Sequence, residues 1–340
     1  DSGRARAEYE RLLEQEPGEA LTEKAASYLE NDDAQRAKWR ELFDRYVQEA
    51  ESASDDGLKA GLYMTAADVA LRYGGADIDR KAVADMVEKA IGLEPKVRRG
   101  AIHAEAALSH EPLRLAKALE LILSRGGAKD DRISSGLKAG RIRARTLSDK
   151  EGAIASFEQV LDLSPGQPDA LSFLAEAYTE SSSWDHLVAL YEDQLKAGLR
   201  GEAEHGVLLQ IAMVHWKMRE APEAAEPHFD RLRRVEPTNG AMLSYFREVL
   251  TARDDTQKLT QVLSDAQRAT QDAALKKELG SEIAALAEKG DNAGKAIEQY
   301  KSILKSDPND APARDALKRL YGQGGNYPAL VDMLRQDLDR

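Results

Sequence analysis

The sequence predicts an all-α chain built by stacking pairs of helices, and three observations carry that expectation. The stretch Ala153–Tyr178 shows one amphipathic helix, with Ala153, Phe157, Val160 and Leu161 apolar at helical spacing. Pro165 closes it, and a second apolar set follows at once in Leu171, Leu174, Ala175 and Tyr178. The same grammar recurs along the chain. Prolines close a helix at Pro17, Pro95, Pro165, Pro237 and Pro308, with spacings of 78, 70, 72 and 71 residues. Eight positions before each stands Tyr9, Val87, Phe157, Phe229 or Tyr300. A fixed period over a whole chain is the mark of a stacked repeat. Finally, no segment alternates apolar and polar residues as a half-buried strand would.

The elements follow in order. Residues 3–15 read as the second helix of a pair, with Ala5, Tyr9 and Leu12 on one face and Pro17 at the end. The chain starts at Asp1 rather than Met, so the array is expected to be a piece of a longer one. Helices 20–30 and 34–50 are predicted next, broken at Asn31-Asp32-Asp33 with Asp33 as N-cap. Trp39, Phe43 and Tyr46 line the second. Ala66, Val69, Ala70 and Tyr73 mark a helix stopped by Gly74-Gly75. Its partner starts at Asp77 or Asp79 and turns Val83, Val87 and Ala90 inward before Pro95. Helices 97–110 and 112–125, the latter opened by Pro112, precede helix 130–146 and the organising stretch.

Beyond Tyr178, Leu187 and Tyr191 point inward, then Leu208, Ile211, Ala212 and His215, then Ala225, Phe229 and Leu232 before Pro237. Leu243, Phe246 and Leu250 pair with Leu259 and Leu263. Ile283, Ala284 and Ala287 pair with Ala296, Tyr300 and Ile303. Leu317 and Tyr321 pair with Leu330 and Leu334. The count is about nineteen helices. Leu187, Leu259 and Leu330 sit 72 and 71 apart on the helices that lack the closing proline. Two half-types therefore alternate, as duplication of a four-helix unit of ~72 residues would produce, with units ending near Pro95, Pro165, Pro237 and Pro308.

These residues resemble the tetratricopeptide repeat. Leu171, Leu174, Ala175 and Tyr178 match its first-helix spacing, and Ala153, Phe157, Val160 and Pro165 its second. Val83, Val87, Ala90 and Pro95 match the second as well, as do Ala296, Tyr300, Ile303 and Pro308. Arg141 and Arg247 stand where a small residue is usual, and a one-residue insertion is needed near 216–224. The resemblance implies one right-handed superhelical solenoid of antiparallel helix pairs over residues 1–340, similar to long bacterial arrays. First helices would line a concave groove in which partners bind. The family's carboxylate-clamping positions correspond to Ser172 and Glu176, Ser244 and Glu248, and Asp315 and Arg319, so an acidic chaperone-type C-terminus is not expected there. The physical reason is independent of the family: one helix pair cannot bury its apolar face, and stacking makes a continuous core with two long surfaces.

Composition narrows the function classes. A net charge of −12 makes the chain a poor non-specific nucleic-acid binder. With no cysteine there is neither a disulfide framework nor a thiolate metal site, and cytoplasm and periplasm both remain open. Among His103, His110, His186, His205, His215 and His228 no H-E-x-x-H and no i, i+4 pair occurs, and His215 is expected in the core. The glycine-rich runs at 124–129 and 322–326 lack a phosphate-loop pattern and read as helix turns. No catalytic, cofactor or metal residues are proposed.

The sharpest local feature is basic. Arg132, Lys138, Arg141, Arg143 and Arg145 occur with no acid among them, and Lys138, Arg141 and Arg145 share a helix face. Arg132, Lys138, Arg141 and Arg145 form either a docking patch for an acidic or phosphorylated segment or partners for carboxylates on adjacent helices such as Asp169 and Glu176. Trp184 and Trp216 are read as repeat packing, with exposed binding anchors as the alternative. The function expected is a non-enzymatic scaffold binding protein segments in a larger bacterial assembly. The alternatives are a substrate-recruiting arm of a multidomain enzyme and a cell-envelope glycan-binding solenoid.

Overall fold

The structure, a computed structural model, describes residues 2–15 and 19–338. Pro17 lies outside them. Among the described residues there are nineteen α-helices and no strand. They are α1 (Ser2–Glu14), α2 (Glu19–Ala37), α3 (Trp39–Ser52), α4 (Asp56–Tyr73), α5 (Arg80–Leu93), α6 (Gly100–Leu108), α7 (Pro112–Arg125), α8 (Lys129–Arg145), α9 (Lys150–Leu163) and α10 (Pro168–Glu180). Then come α11 (Trp184–Lys196), α12 (Glu202–Met213), α13 (Pro222–Val235), α14 (Gly240–Ala252), α15 (Thr256–Ala269), α16 (Ala273–Lys289), α17 (Ala293–Ser306), α18 (Ala311–Gln323) and α19 (Tyr327–Leu338). Even-numbered helices are the first of each pair.

The chain divides into two compact units, the first ending at Ser183 and the second starting at Trp184. In each, the main contacts join helices adjacent in sequence, with next-but-one packing such as α4 on α6 and α7 on α9 in the first. That is the pattern expected when amphipathic helices bury themselves only against sequence neighbours. Tyr63, Val87, Ile91, Leu108 and Leu119 build the core of the first unit. Phe229, Tyr245, Phe246 and Leu263 build that of the second. Burying each such side chain contributes roughly 1.5–3 kcal/mol.

Local chemistry sets the boundaries. The side chains of Asp79, Asp149, Asp255 and Asp310 accept from the amide three residues on and start α5, α9, α15 and α18. Asp79, not Asp77, is therefore the cap of α5. The expected break at Asn31-Asp32-Asp33 does not occur. Instead the Asp32 carboxylate is buried inside α2, accepting from Arg6 at 2.8 Å and Arg36 at 2.9 Å. These two guanidiniums satisfy it, so it has no need to cap, and the helix runs on to Ala37. The one-residue insertion near 216–224 takes physical form as a π-helical turn, Val214–Met218, appended to α12. A single extra residue in an α-helix is accommodated in this way.

Six of the turns from even to odd helices share one device. Ser148, Ser182, Glu220, Asp254 and Asp291 all lie at φ 51–54°, and Gly325 at 69° takes the same place between α18 and α19. After several of them the next amide reaches back five residues, as Ser183 does to the Tyr178 carbonyl at 2.8 Å and Asn292 to that of Ala287 at 2.8 Å. The left-handed conformation costs a Cβ-bearing residue about 1–2 kcal/mol. Glu220→Gly should therefore raise stability by about 0.5–1 kcal/mol, after glycine's own entropy is subtracted. A shift of the urea midpoint to higher concentration checks it; Glu220→Val should move it the other way.

Candidate functional site

Successive even-numbered helices are cross-linked by charged side chains one repeat apart. In the first unit His103 on α6 meets Asp68 on α4 at 3.2 Å, Lys138 on α8 meets Glu105 on α6 at 2.5 Å, and Arg141 on α8 meets Asp169 on α10. In the second unit Lys217 meets Glu248 on α14 at 3.3 Å, Arg247 meets Glu282 on α16 at 2.9 Å, and Arg319 on α18 meets Glu288 at 2.6 Å. The exposed lysine and arginine pairs among these each contribute roughly 0–1 kcal/mol.

The basic helix α8 belongs to this ladder. Lys138 and Arg141 are its cross-links toward α6 and α10. Arg143 donates to both oxygens of Glu120 at 2.5 and 2.7 Å and to Asp149 at 2.6 Å. Arg132 donates to the carbonyls of Leu123 and Ser124 at 2.7 and 3.1 Å, capping the last turn of α7. Arg145 is exposed and forms no ion pair among the described residues. Asp169 is one of the two carboxylates the sequence named as partners, while Glu105 and Glu120 were not named.

A cavity of about 860 Å³ lies between α4 and the start of α6. Gly57, Leu58, Gly61 and Thr65 of α4 form its floor, and the α5–α6 connection forms a wall with Lys96, Val97, Arg98 and Arg99. Leu58 is 57 % exposed, and nearby Ile102 is 64 % exposed. A Cβ at Gly61 would meet nothing, so this glycine is not demanded by packing.

His103 organises the charge beside the cleft. Its Nδ1 lies 2.9 Å from the Arg99 carbonyl and its Nε2 3.2 Å from the Asp68 carboxylate. Both partners are acceptors, so both contacts are hydrogen bonds only when both ring nitrogens carry protons. Burial opposes that charge, but the Asp68 carboxylate and the Arg99 carbonyl outweigh it and hold the imidazole above its usual range. The hydrogen bond from His103 in turn holds Asp68 low against its own desolvation, helped by Arg72 at 3.1 Å.

Arg99 itself is held at φ 61° as the N-cap of α6. Among the described non-glycine residues with positive φ it alone lies outside an even-to-odd turn. A left-handed residue with a long side chain is a local cost that function can explain.

The remaining sequence candidates are placed as follows. His215 and His228 are stacked with centroids 5.7 Å apart, both pushed down by burial. Trp216 is buried on Phe229 and Tyr245, and Trp184 is half-buried. The glycine-rich runs end helices α7 and α18. Of the groove positions, Glu248 and Arg319 are spent in the ladder, and Asp315 pairs with Lys318 on its own helix. Among the described residues no group of three or more His, Cys, Asp or Glu could hold a metal ion, and no helix is long and apolar enough to cross a membrane.

Fold and site together define an all-α helical-repeat protein whose helix pairs carry tetratricopeptide-like spacing and whose even helices form a charged ladder beside a cleft. Solved structures similar to it include YrrB, a tetratricopeptide protein with an unusual peptide-binding site. The identity is 16 %, over 56 % of this chain and 98 % of that one, with a TM-score of 0.31. Another is the C-terminal part of a tetratricopeptide repeat-containing protein from Cytophaga hutchinsonii, 14 % identical over 75 % of this chain and 99 % of that one, TM-score 0.34. A third is Naa15/Naa10 bound to HypK, 17 % identical over 84 % of this chain and 39 % of that one, TM-score 0.38. No protein-family model and no curated protein matches the sequence.

Proposed function

We propose that this chain is a non-catalytic scaffold that binds segments of partner proteins along its even-numbered helices and holds together components of a larger bacterial assembly. The observation that carries the reading is the cleft of about 860 Å³ beside α4 and α6, where exposed Leu58 and open Gly61 sit next to unpaired cations. Exposed apolar side chains rimmed by arginine are the composition of a protein-binding surface rather than of a solvated face. The reading includes four-helix units of about 72 residues repeated along the chain, and partners that are proteins or peptides rather than nucleic acid.

The basic set on α8 has a place in it. Lys138 and Arg141 are held in exposed pairs that an acidic partner segment can exchange, Arg145 is free to join them, and Arg132 keeps the end of α7 in register. Affinity purification of the full-length protein from its native cell, followed by mass spectrometry, tests the reading. A stoichiometric protein partner lost on Lys138→Glu/Arg145→Glu is the expected result. Recovery unchanged by that double reversal removes α8 from the interface, and the absence of any stoichiometric partner removes the scaffold.

A further inference from the structure

The odd-to-even connections that carry the closing proline offer an internal comparison. Those joining α9 to α10, α13 to α14 and α17 to α18 are each four residues long, 164–167, 236–239 and 307–310, and contain no basic residue. The connection from α5 to α6 spans six, 94–99, and contains Lys96, Arg98 and Arg99. All three are exposed, and none forms an ion pair among the described residues. This is a local enrichment of free cations in a chain of net charge −12.

The connection is also held by its own hydrogen bonds. The Val97 amide donates to the Glu94 carbonyl at 2.9 Å, and the Gly100 amide to the Val97 carbonyl at 3.1 Å. The Glu94 carboxylate accepts from the Lys96 amide at 2.9 Å, and Asp68 is taken by His103 and Arg72. The two carboxylates that line the cleft are thus engaged: Asp68 acts on Arg99 only through space, and neither carboxylate forms an ion pair with Arg98 or Arg99. A pre-ordered loop that presents guanidiniums at the edge of a cavity loses little entropy on binding a carboxylate.

We infer that the cleft between α4 and α6 docks an acidic peptide segment, whose carboxylates are received by Arg98 and Arg99 and whose apolar side chain lies over Gly61 against Leu58. The assignment deepens the scaffold reading and rests on it. The segment need not be a chain end, because the receiving groups lie along a loop rather than closing around a terminus. An apolar side chain is required because the cations alone leave Leu58 and Ile102 uncovered.

Fluorescence anisotropy of the intact chain tests it, with a labelled peptide of Glu and Asp around one central Leu as probe. The acidic peptide should bind, its affinity should fall as salt rises, and a peptide with Lys for each acid should not bind. Arg98→Glu with Arg99→Gly should weaken binding by on the order of tenfold or more per arginine. Arg99→Gly relieves the left-handed backbone, so a loss of binding in that variant is not a failure to fold. Replacing the probe's Leu by Ser should weaken binding as well. Equal affinity for the Lys peptide, unchanged affinity in the double variant, or binding only when the probe carries phosphate would each overturn the assignment. A native partner retained in full by the double variant also overturns it while leaving the scaffold standing. The scaffold itself fails only on the purification experiment above.

Discussion

Gly140→Val should destabilise the first unit by about 3 kcal/mol or more, although valine forms helices better than glycine. Gly140 and Gly136 are buried on α8, where it passes between α7 and α9. A Cβ added at Gly140 would stand 2.8 Å from Phe157 Cε2 and Cζ; one at Gly136 would stand 2.5 Å from Val160 Cγ2 and 2.8 Å from Leu123 Cδ1. The Phe157 ring has little room to yield, because its other neighbour is Phe173 with centroids 4.5 Å apart. Even Gly140→Ala should cost on the order of 1–3 kcal/mol from overpacking. The control is Gly92→Ala on α5, where an added Cβ meets nothing. That change should stabilise by up to about 1 kcal/mol through propensity alone. Long repeat arrays depart from all-or-none unfolding, so the measurement is amide hydrogen exchange across α7 to α9, with urea midpoints as support. A Gly140→Val protein with native protection in these helices would show that α8 does not pack as closely as its glycines demand.

The helices were legible because amphipathic periodicity and proline or glycine stops are local. Each reports only the face its own segment buries, and stacking on neighbours asks for nothing more. Asp32 shows where local reading fails. A sequence of Asn-Asp-Asp has the look of a cap, and only the arrival of Arg6 from α1 turns it into a buried acceptor inside a helix. The α8 glycines were missed for a related reason. Arg141 is the conspicuous residue there, while the glycine before it is the one pressed on Phe157; isolated glycines inside a helical pattern were the available signal. The ladder of charges was half legible. Spacing placed Lys138 and Arg141 on one face, but which carboxylate each meets depends on the lateral register between helices a repeat apart, and helix periodicity does not contain it. The cleft depends on two extra residues in one connection. They show themselves only when equivalent connections are compared, which needs helix ends more accurate than sequence patterns provide.

Phe229→Ala should cost the second unit about 3–5 kcal/mol, the range for emptying a buried aromatic site. Phe229 is 0 % exposed and lies at the centre of a ring cluster. Tyr245 stacks on it with centroids 4.4 Å apart, and Trp216 and Phe246 approach at 6.0 and 6.4 Å. The neighbours are poorly able to close the hole. Tyr245 is tied by its hydroxyl to the Pro222 carbonyl at 2.6 Å, and Trp216 donates through Nε1 to Glu248 at 3.2 Å, with the Lys217 ammonium 3.4 Å from the ring centre. Relaxation would break a hydrogen bond at either edge, so the cavity term should stay near its full value. Because helices here bury themselves against sequence neighbours, the loss should be regional. Amide protection should fall from α12 to α15 and persist in α4 to α9, and the Trp216 emission should shift to the red as the cluster loosens. Loss of protection spread evenly over every helix would mean that the chain unfolds as one cooperative body, and nearest-neighbour stacking would no longer describe its stability.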